Sequence, residues 1–166
     1  ESLLKSEKLL AQKKHVSVER LNSIDVSDVR KEGLDKERLV KTRLNQSVFR
    51  KVILATYNYK CCITGIDSPQ LLIASHILPW SKDEKNRLNP MNGLSLNALH
   101  DRAFECGLIG IDENYKILVS PKLKKAKTDT INSMFLQYEG NDLQLPDKFL
   151  PSKEFLAIHL NERFVK

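Results

Sequence analysis

The chain has 166 residues, of which 41% are hydrophobic and 29% are charged, and its formal net charge is +6 at pH 7. This length suits one domain with a hydrophobic core and an additional segment, and the composition is ordinary for a globular protein. No apolar run approaches the roughly 18 residues that span a bilayer and no signal-peptide pattern is present, so we expect no membrane-spanning segment and, by default, a cytoplasmic protein.

The first part of the chain, residues 1–42, is polar and basic with scattered leucines, and we predict a helical arm or linker there, followed by a domain over residues 43–166. The stretch "NQSVFRKVILATY" has apolar residues at helical spacing, which predicts a helix with Asn45 or Ser47 as its N-cap. The sequence begins at Glu1 rather than Met. We therefore keep open that it is part of a longer chain.

The next segment, "CCITGIDSPQLLIASHI", is typical of a short strand, a turn and a second strand. A polar loop follows at residues 81–93, and "LSLNALHDRAFECGL" predicts a strand end that passes into a short helix. Asn97 is the expected N-cap of this helix and Gly107 its end. Cys61, Cys62 and Cys106 include no CxxC pair, so we expect buried free thiols and no structural zinc.

The C-terminal part alternates again between strand and helix signals. "LIGIDENYKILVS" predicts a β-hairpin with Asp-Glu-Asn at its tip. "TDTINSMFLQY" and "SKEFLAIHLNERF" predict two helices, the second of them capped by Ser152. Together these elements indicate an α+β fold.

Four polar residues of the middle segment lie at element ends, where side chains can converge. His76 ends an apolar run, Asn92 follows 16 residues later, and His100 follows another 8 residues on, with Asp101 next to it at the predicted helix start. Phosphodiester hydrolysis needs a base for water and a cation for the developing charge, and an Asn can fix an imidazole or its loop. Taken singly, each residue has an ordinary structural explanation: a core histidine, an Asn-Gly turn and a helix-start acid.

The combined pattern resembles one family. "CCITG", "ASHILPW", "NGLSL" and "LHDRAFECGLIGID", in this order, resemble the HNH endonucleases, and the resemblance extends from about Arg43 to Phe164. It implies a ββα-metal finger, in which a two-stranded hairpin and a helix hold one divalent ion. The expected fold is therefore α+β, with this finger as a core flanked by helices and a C-terminal β-hairpin.

The resemblance assigns roles to individual positions. His76 corresponds to the general base, and Asn92 to the residue that holds the loop and orients that histidine. His100 and Asp101 correspond to the end of the motif that serves catalysis and metal binding, and adjacent helix residues point about 100° apart, so their order of importance stays open. Ser75 stands at a metal position where many relatives have an acidic residue. Asp101, with His100 beside it, is then the natural replacement, and Glu105, one turn on, could also reach the ion.

This sequence lacks the four cysteines that bind a structural zinc ion and stabilise the finger in many relatives. Packing must therefore hold the finger, and the expected side chains are Ile73, Ile77, Trp80, Leu94, Leu96 and Phe104. We therefore expect no structural zinc.

The implied function is metal-dependent cleavage of double-stranded DNA, with Mg²⁺ as the expected ion, Mn²⁺ or Ni²⁺ as alternatives, and restriction of foreign DNA as the expected role. Residues 1–60 contain 14 Lys and Arg against 8 Asp and Glu, whereas residues 61–166 contain 13 of each. This asymmetry suits a polyanion, although a solvated helical surface explains it equally well. Within the finger, the expected DNA contacts are Lys82, Arg87 and Arg102.

Three alternatives stay open at this point. Ser75 is compatible with an HNH-fold module that binds nucleic acid and has lost efficient catalysis. A homodimer would pair two fingers for double-strand cleavage. Finally, a separate domain of a longer chain would recognise the DNA sequence to be cleaved.

Overall fold

The computed structural model describes residues 26–81, 83–126 and 128–166. The chain divides into two compact units between Arg43 and Leu44. In the first unit the described residues are helical. Most of the predicted N-terminal arm, residues 1–25, lies outside the described residues, and the arm's role stays a prediction.

The first helix, α1, spans Val26–Thr56. The predicted N-cap at Asn45 or Ser47 is therefore wrong, because both residues lie inside a helix that has begun 19 residues before Asn45. In the second unit, Phe49, Ile53 and Tyr57 follow one another at intervals of four residues and are all buried, as expected for one face of a helix.

The segment "CCITG" forms a turn, and the strand predicted there is absent. Cys61 N–H donates to the Ile66 carbonyl at 2.8 Å, and Gly65 N–H donates to the Cys61 carbonyl at 2.9 Å. Gly65 has a φ of +75°, which residues with a Cβ rarely adopt. These local hydrogen bonds take the place of strand pairing. The turn also contacts the segment around Ser95, because Cys62 N–H donates to the Ser95 carbonyl.

The central motif is a hairpin followed by a helix, as predicted. Strand β1 (Leu72–His76) pairs antiparallel with β2 (Gly93–Asn97), in a register from Leu72 opposite Asn97 to His76 opposite Gly93. Helix α2 (Ala98–Glu105) follows β2 directly. Asn97 is confirmed as its N-cap, since its side-chain oxygen accepts from His100 N–H at 2.9 Å.

The C-terminal part confirms the second hairpin. Strands β3 (Ile109–Ile111) and β4 (Ile117–Val119) pair antiparallel. Two short helices follow, α3 (Pro121–Lys124) and α4 (Asp129–Met134), and a 3₁₀ turn at Leu136–Tyr138 takes the place of the last part of the predicted helix. Helix α5 (Lys153–Glu162) is capped by Ser152, whose hydroxyl oxygen accepts from Phe155 N–H.

The core joins α1, both hairpins, α2 and α5. Fully buried side chains from these elements include Ile53, Leu72, Leu94, Leu96, Phe104, Ile109 and Leu156. Of the six side chains expected to hold the finger, Ile77, Leu94, Leu96 and Phe104 are buried, whereas Ile73 and Trp80 are partly exposed. Cys61 and Cys62 are buried, but Cys106 is exposed, contrary to expectation. Among the described residues no helix is long and apolar enough to cross a membrane.

Gly93 allows α1 to approach the strand that carries the site. A Cβ at Gly93 would lie 2.3 Å from Cδ1 of Ile53 and 2.9 Å from Cζ of Phe49. Glycine is therefore required opposite His76, because a larger residue would push away the helix that packs beneath that histidine.

Candidate active site

A pocket of about 440 Å³ opens where β1 ends and α2 begins. The side chains that bear chemistry here come from three parts of the fold. They are Ser75 and His76 of β1, Asp101 and Glu105 of α2, and Arg163 after α5. The structure thus brings together His76, Ser75 and Asp101, which the sequence pattern singles out.

His76 is held as a neutral base. Its Nε2 lies 3.0 Å from the Arg87 carbonyl oxygen. Because a carbonyl only accepts, Nε2 carries the proton, and the lone pair of the neutral ring is on Nδ1. The ring stacks on Phe49 with centroids 3.7 Å apart and meets the edge of Trp80 at 5.3 Å. Burial lowers the pKa of His76, and the bond to Arg87 opposes this only in part, which favours the neutral ring at pH 7.

Asn92 fixes the loop between β1 and β2 and makes no recorded contact with the His76 ring among the described residues. Its Oδ1 accepts from Leu78 N–H at 2.8 Å, and its Nδ2 donates to the Leu78 and Asn86 carbonyls at 3.3 and 3.2 Å. Asn86 precedes Arg87, whose carbonyl binds His76. The geometry therefore lets Asn92 orient His76 through the loop rather than by direct contact.

The acidic side of the pocket consists of Asp101 and Glu105, one helical turn apart on α2. Burial raises the pKa of Asp101, a hydrogen bond from Ser75 opposes the rise, and the nearby Glu105 carboxylate adds to it. Of the two carboxylates on this pocket wall, Glu105 is paired with Arg102 at 2.7 Å, whereas Asp101 accepts a hydrogen bond from Ser75.

A hard divalent cation fits this set of donors. No group of three or more His, Cys, Asp and Glu side chains is arranged to hold a metal within the part of the chain that the structure describes. Mg²⁺ commonly binds through one or two carboxylates and completes its shell with water and substrate oxygens. The residues that would hold it here are Asp101 and Glu105, with the Ser75 hydroxyl beside them.

His100 does not belong to this pocket, which corrects the prediction that it shares a cluster with His76 and Asn92. Its Nε2 lies 2.8 Å from the Met134 carbonyl, and its Nδ1 lies 2.7 Å from Nδ2 of Asn97. Both ring nitrogens are thus engaged, and the side chain is 2% exposed. Neither a metal ion nor substrate can reach a lone pair on this ring in the observed arrangement.

His100 instead forms part of a buried polar cluster with Cys61. Asn97 N–H donates to Cys61 Sγ at 3.3 Å. Burial by itself raises the pKa of Cys61, but hydrogen bonds from neighbouring groups, Thr64 among them, outweigh this effect and lower the pKa to about 6. The cluster lies on the side of α2 that faces a second, more apolar cavity of about 530 Å³.

The predicted DNA contacts differ in their surroundings. Arg102 is well exposed and forms an ion pair with Glu105 at 2.7 Å. Arg87 is tied into the loop, since its Nε donates to the Trp80 carbonyl and its Nη1 pairs with Glu84. Lys82 lies outside the described residues. All three assignments stay predictions.

The sequence pattern misses three pocket residues: Gln46 on α1, His159 on α5 and Arg163. His159 is 2% exposed, its ring stacks on Phe104 at 3.7 Å, and its Nε2 donates to the Phe104 carbonyl at 3.0 Å. These residues lie 30 or more positions from His76, and no motif spacing connects them with it. Only tertiary packing reveals them.

Comparison with known proteins bears on the same segment. The family model of HNH endonucleases matches residues 61–112. We call this segment, residues 61–112, the HNH module because of its similarity to that family. The match includes β1, the loop held by Asn92, β2, α2 and β3, and therefore both His76 and Asp101. HNH nucleases in general use a divalent metal ion, which agrees with the donors beside His76.

One solved structure is also similar to this chain. A solved structure of a modification-dependent TagI restriction endonuclease matches 68% of this chain, with 14% sequence identity and a TM-score of 0.48. This chain spans 36% of the length of that one. No curated protein matches the chain.

Proposed function

We propose that the chain is a metal-dependent endonuclease that hydrolyses phosphodiester bonds of double-stranded DNA. The observation that carries the proposal is the neutral His76, with its lone pair on Nδ1, in one pocket with the Asp101 carboxylate. A buried imidazole beside a carboxylate is a suitable pair for a base and a cation site. The match to the HNH family supports the same reaction.

In the proposed reaction, Nδ1 of His76 removes a proton from a water molecule. The water oxygen attacks the phosphorus, a P–O bond forms, and the bond between phosphorus and the 3′ oxygen breaks. A water proton then neutralises the departing oxygen. Asp101 and Glu105 would hold Mg²⁺, with Mn²⁺ and Ni²⁺ as alternatives, and the bound ion supplies stabilisation of negative charge on the phosphorane and the leaving oxygen.

Other parts of the molecule have proposed supporting roles. Arg102 is exposed on α2 and suits contact with the DNA backbone, as does the basic first third of the chain. Restriction of foreign DNA, a cytoplasmic location, a homodimer and a separate recognition domain remain proposals that rest on the resemblance to restriction-type HNH nucleases.

The test is nicking of supercoiled plasmid in Mg²⁺, Mn²⁺, Ni²⁺ or EDTA. We expect metal-dependent nicking by the wild type, and His76→Ala should lower the rate by about 10²- to 10⁴-fold because the general base is lost. Asp101→Asn should require more metal for the same rate. Asp147→Asn is the matched control, since Asp147 is an exposed carboxylate outside the pocket, and it should nick like the wild type.

A second candidate function is a binding module without catalysis. Ser75 favours it, because a hydroxyl bonded to Asp101 replaces the acidic ligand of many relatives. Binding of plasmid in EDTA, without nicking in any of the three ions, would contradict the nuclease proposal and establish this second function.

A further inference from the structure

The residue that follows α5 contributes a cation to the pocket from outside the HNH module. Arg163 immediately follows α5 and lines the same pocket as His76 and Asp101. The family model ends at residue 112, more than 50 positions before Arg163. A role of Arg163 at the site is therefore a property of this chain's own packing.

The start and the end of the Arg163 side chain are both fixed. A Cβ on Gly107 would lie 1.9 Å from the Arg163 carbonyl oxygen, so the two backbones are in direct contact. Val165 N–H donates to the Gly107 carbonyl at 2.9 Å, which fastens the chain on the other side of Arg163. At its tip, Nη1 donates to the Glu105 carbonyl at 3.0 Å. These contacts hold the guanidinium at the end of α2.

Nη1 donates to a carbonyl oxygen, which has no formal charge. This hydrogen bond therefore does not neutralise the positive charge of Arg163. The Glu105 carboxylate pairs instead with Arg102. The charge of Arg163 acts inside the pocket, because it contributes to the lowered pKa of His159, although burial is the larger cause. A guanidinium also has five N–H donors in a planar fork, of which this bond uses one.

We propose that Arg163 binds a phosphate of the DNA strand to be cleaved and positions it between His76 and Asp101. The inference rests on the proposed nuclease function of the pocket. A phosphodiester presents two anionic oxygens that match the arginine fork, whereas a lysine offers a point charge without this geometry. Among the described residues that line the pocket, Arg163 is the only arginine or lysine.

The simplest competing explanation is that Arg163 only caps the C-terminus of α2 through the Glu105 carbonyl. Arg163→Gln and Arg163→Lys separate the two explanations. Gln removes the charge and keeps a donor for the cap, and Lys keeps the charge but loses the fork. Lys148→Gln is the control for loss of one exposed charge outside the pocket.

The first measurement is binding of a fluorescein-labelled duplex in EDTA over a series of NaCl concentrations. Arg163→Gln should lower the affinity by about 10-fold for any sequence and reduce the slope of log K against log salt by about one phosphate contact. Arg163→Lys should restore the slope. In plasmid nicking, Lys should restore KM more than kcat, because charge without the fork binds the strand but orients it poorly.

The outcomes distinguish this inference from the proposed function. If Arg163→Gln keeps the wild-type affinity and salt slope and only its thermal stability falls, the cap explanation is right and the phosphate contact is overturned, whether or not the wild type nicks DNA. If the wild type binds without nicking and the slope still falls in Arg163→Gln, the contact is supported and the nuclease proposal fails. A wild type that binds no duplex would overturn the contact.

Discussion

At the scale of single residues, the surroundings of the histidines decide what each can do. His76 has one nitrogen bonded to a carbonyl and one lone pair beside a pocket, whereas both nitrogens of His100 are engaged by Asn97 and Met134. The imidazole of His76 is therefore a candidate base, whereas that of His100 links α2 to the end of α4 through a hydrogen bond. Hydrogen bonding, rather than residue type, separates the two roles.

His159 should make the protein sensitive to acid. Burial lowers its pKa from 6.5 to about 4, so the unfolded chain takes up a proton more readily than the folded one. The stability that neutral His159 contributes is present above pH 6.5 and is lost as the pH falls from 6.5 towards 4. For a shift of this size the loss is about 3 kcal/mol. Urea unfolding in EDTA at pH 7 and pH 4 measures it.

His159→Phe is the comparison, because it keeps a ring against Phe104 and removes the titration. Its free energy of unfolding should fall less between pH 7 and pH 4 than that of the wild type. Losses from other acid-sensitive groups are common to both proteins and cancel in this difference. An equal fall in both would show that His159 does not titrate as its burial implies.

At the scale of elements, the loop between β1 and β2 determines the precision of the site. Its described residues form no helix or strand other than a 3₁₀ turn at Pro90–Asn92, and the Asn92 side chain holds the loop through Leu78 and Asn86 with three hydrogen bonds. The loop also supplies the carbonyl of Arg87 that sets the His76 tautomer. An irregular segment can hold a catalytic group in place when buried polar bonds replace regular pairing.

Asn92→Ala should therefore lower both stability and activity. The change leaves the buried N–H and carbonyl of Leu78 and the part-buried carbonyl of Asn86 without their partner, which costs about 2–4 kcal/mol. Loosening of the Arg87 carbonyl should also lower the nicking rate at a temperature where the variant is still folded. Urea unfolding and plasmid nicking measure the two effects. Asn161→Ala, on the exposed face of α5, is the control and should change stability by less than about 0.5 kcal/mol.

The prediction for Asn92 would be wrong in its functional part if the folded variant nicked at the wild-type rate. Asn92 would then stabilise the loop without affecting His76.

At the scale of the whole molecule, the pocket combines parts of the chain that are far apart in sequence. The HNH module supplies His76 and Asp101, and the segment after α5 supplies Arg163. Gly107 and Gly110 allow this assembly, since a Cβ at Gly110 would lie 2.5 Å from the Leu160 side chain on α5. Binding at the pocket is consequently linked to folding of the entire domain.

Mg²⁺ should raise the melting temperature of the wild type. At a tenfold excess over its dissociation constant, a ligand that binds only the folded state adds about 1.4 kcal/mol, or about 3–6 °C for a chain of this size. Asp101→Asn should reduce this shift, whereas Asp147→Asn should keep it. Differential scanning fluorimetry with and without Mg²⁺ provides the comparison, and an equal shift in all three proteins would place the ion elsewhere.

Much of the local structure follows from sequence alone. Alternation of apolar and turn-forming residues predicted the hairpin of β3 and β4, whereas the hairpin of β1 and β2 was implied by the family resemblance. Asn97, Gly107 and Ser152 marked helix ends correctly because capping is a local interaction. The position of His76 at a strand end was predicted correctly, and its catalytic role stays a prediction. The turn at "CCITG" was missed because its hydrogen bonds compete with strand pairing within a few residues.

Tertiary structure determined which motif residues face the pocket. His100 and Asp101 are adjacent on α2 and point about 100° apart, so only one of them can face His76. The choice depends on the Met134 carbonyl, 34 residues from His100, which binds its ring and turns it away. Arg163 likewise reaches the site through a bond to the Glu105 carbonyl, 58 residues away. Sequence determines local conformation and the inventory of chemical groups, but their orientation depends on distant partners that only packing brings into contact.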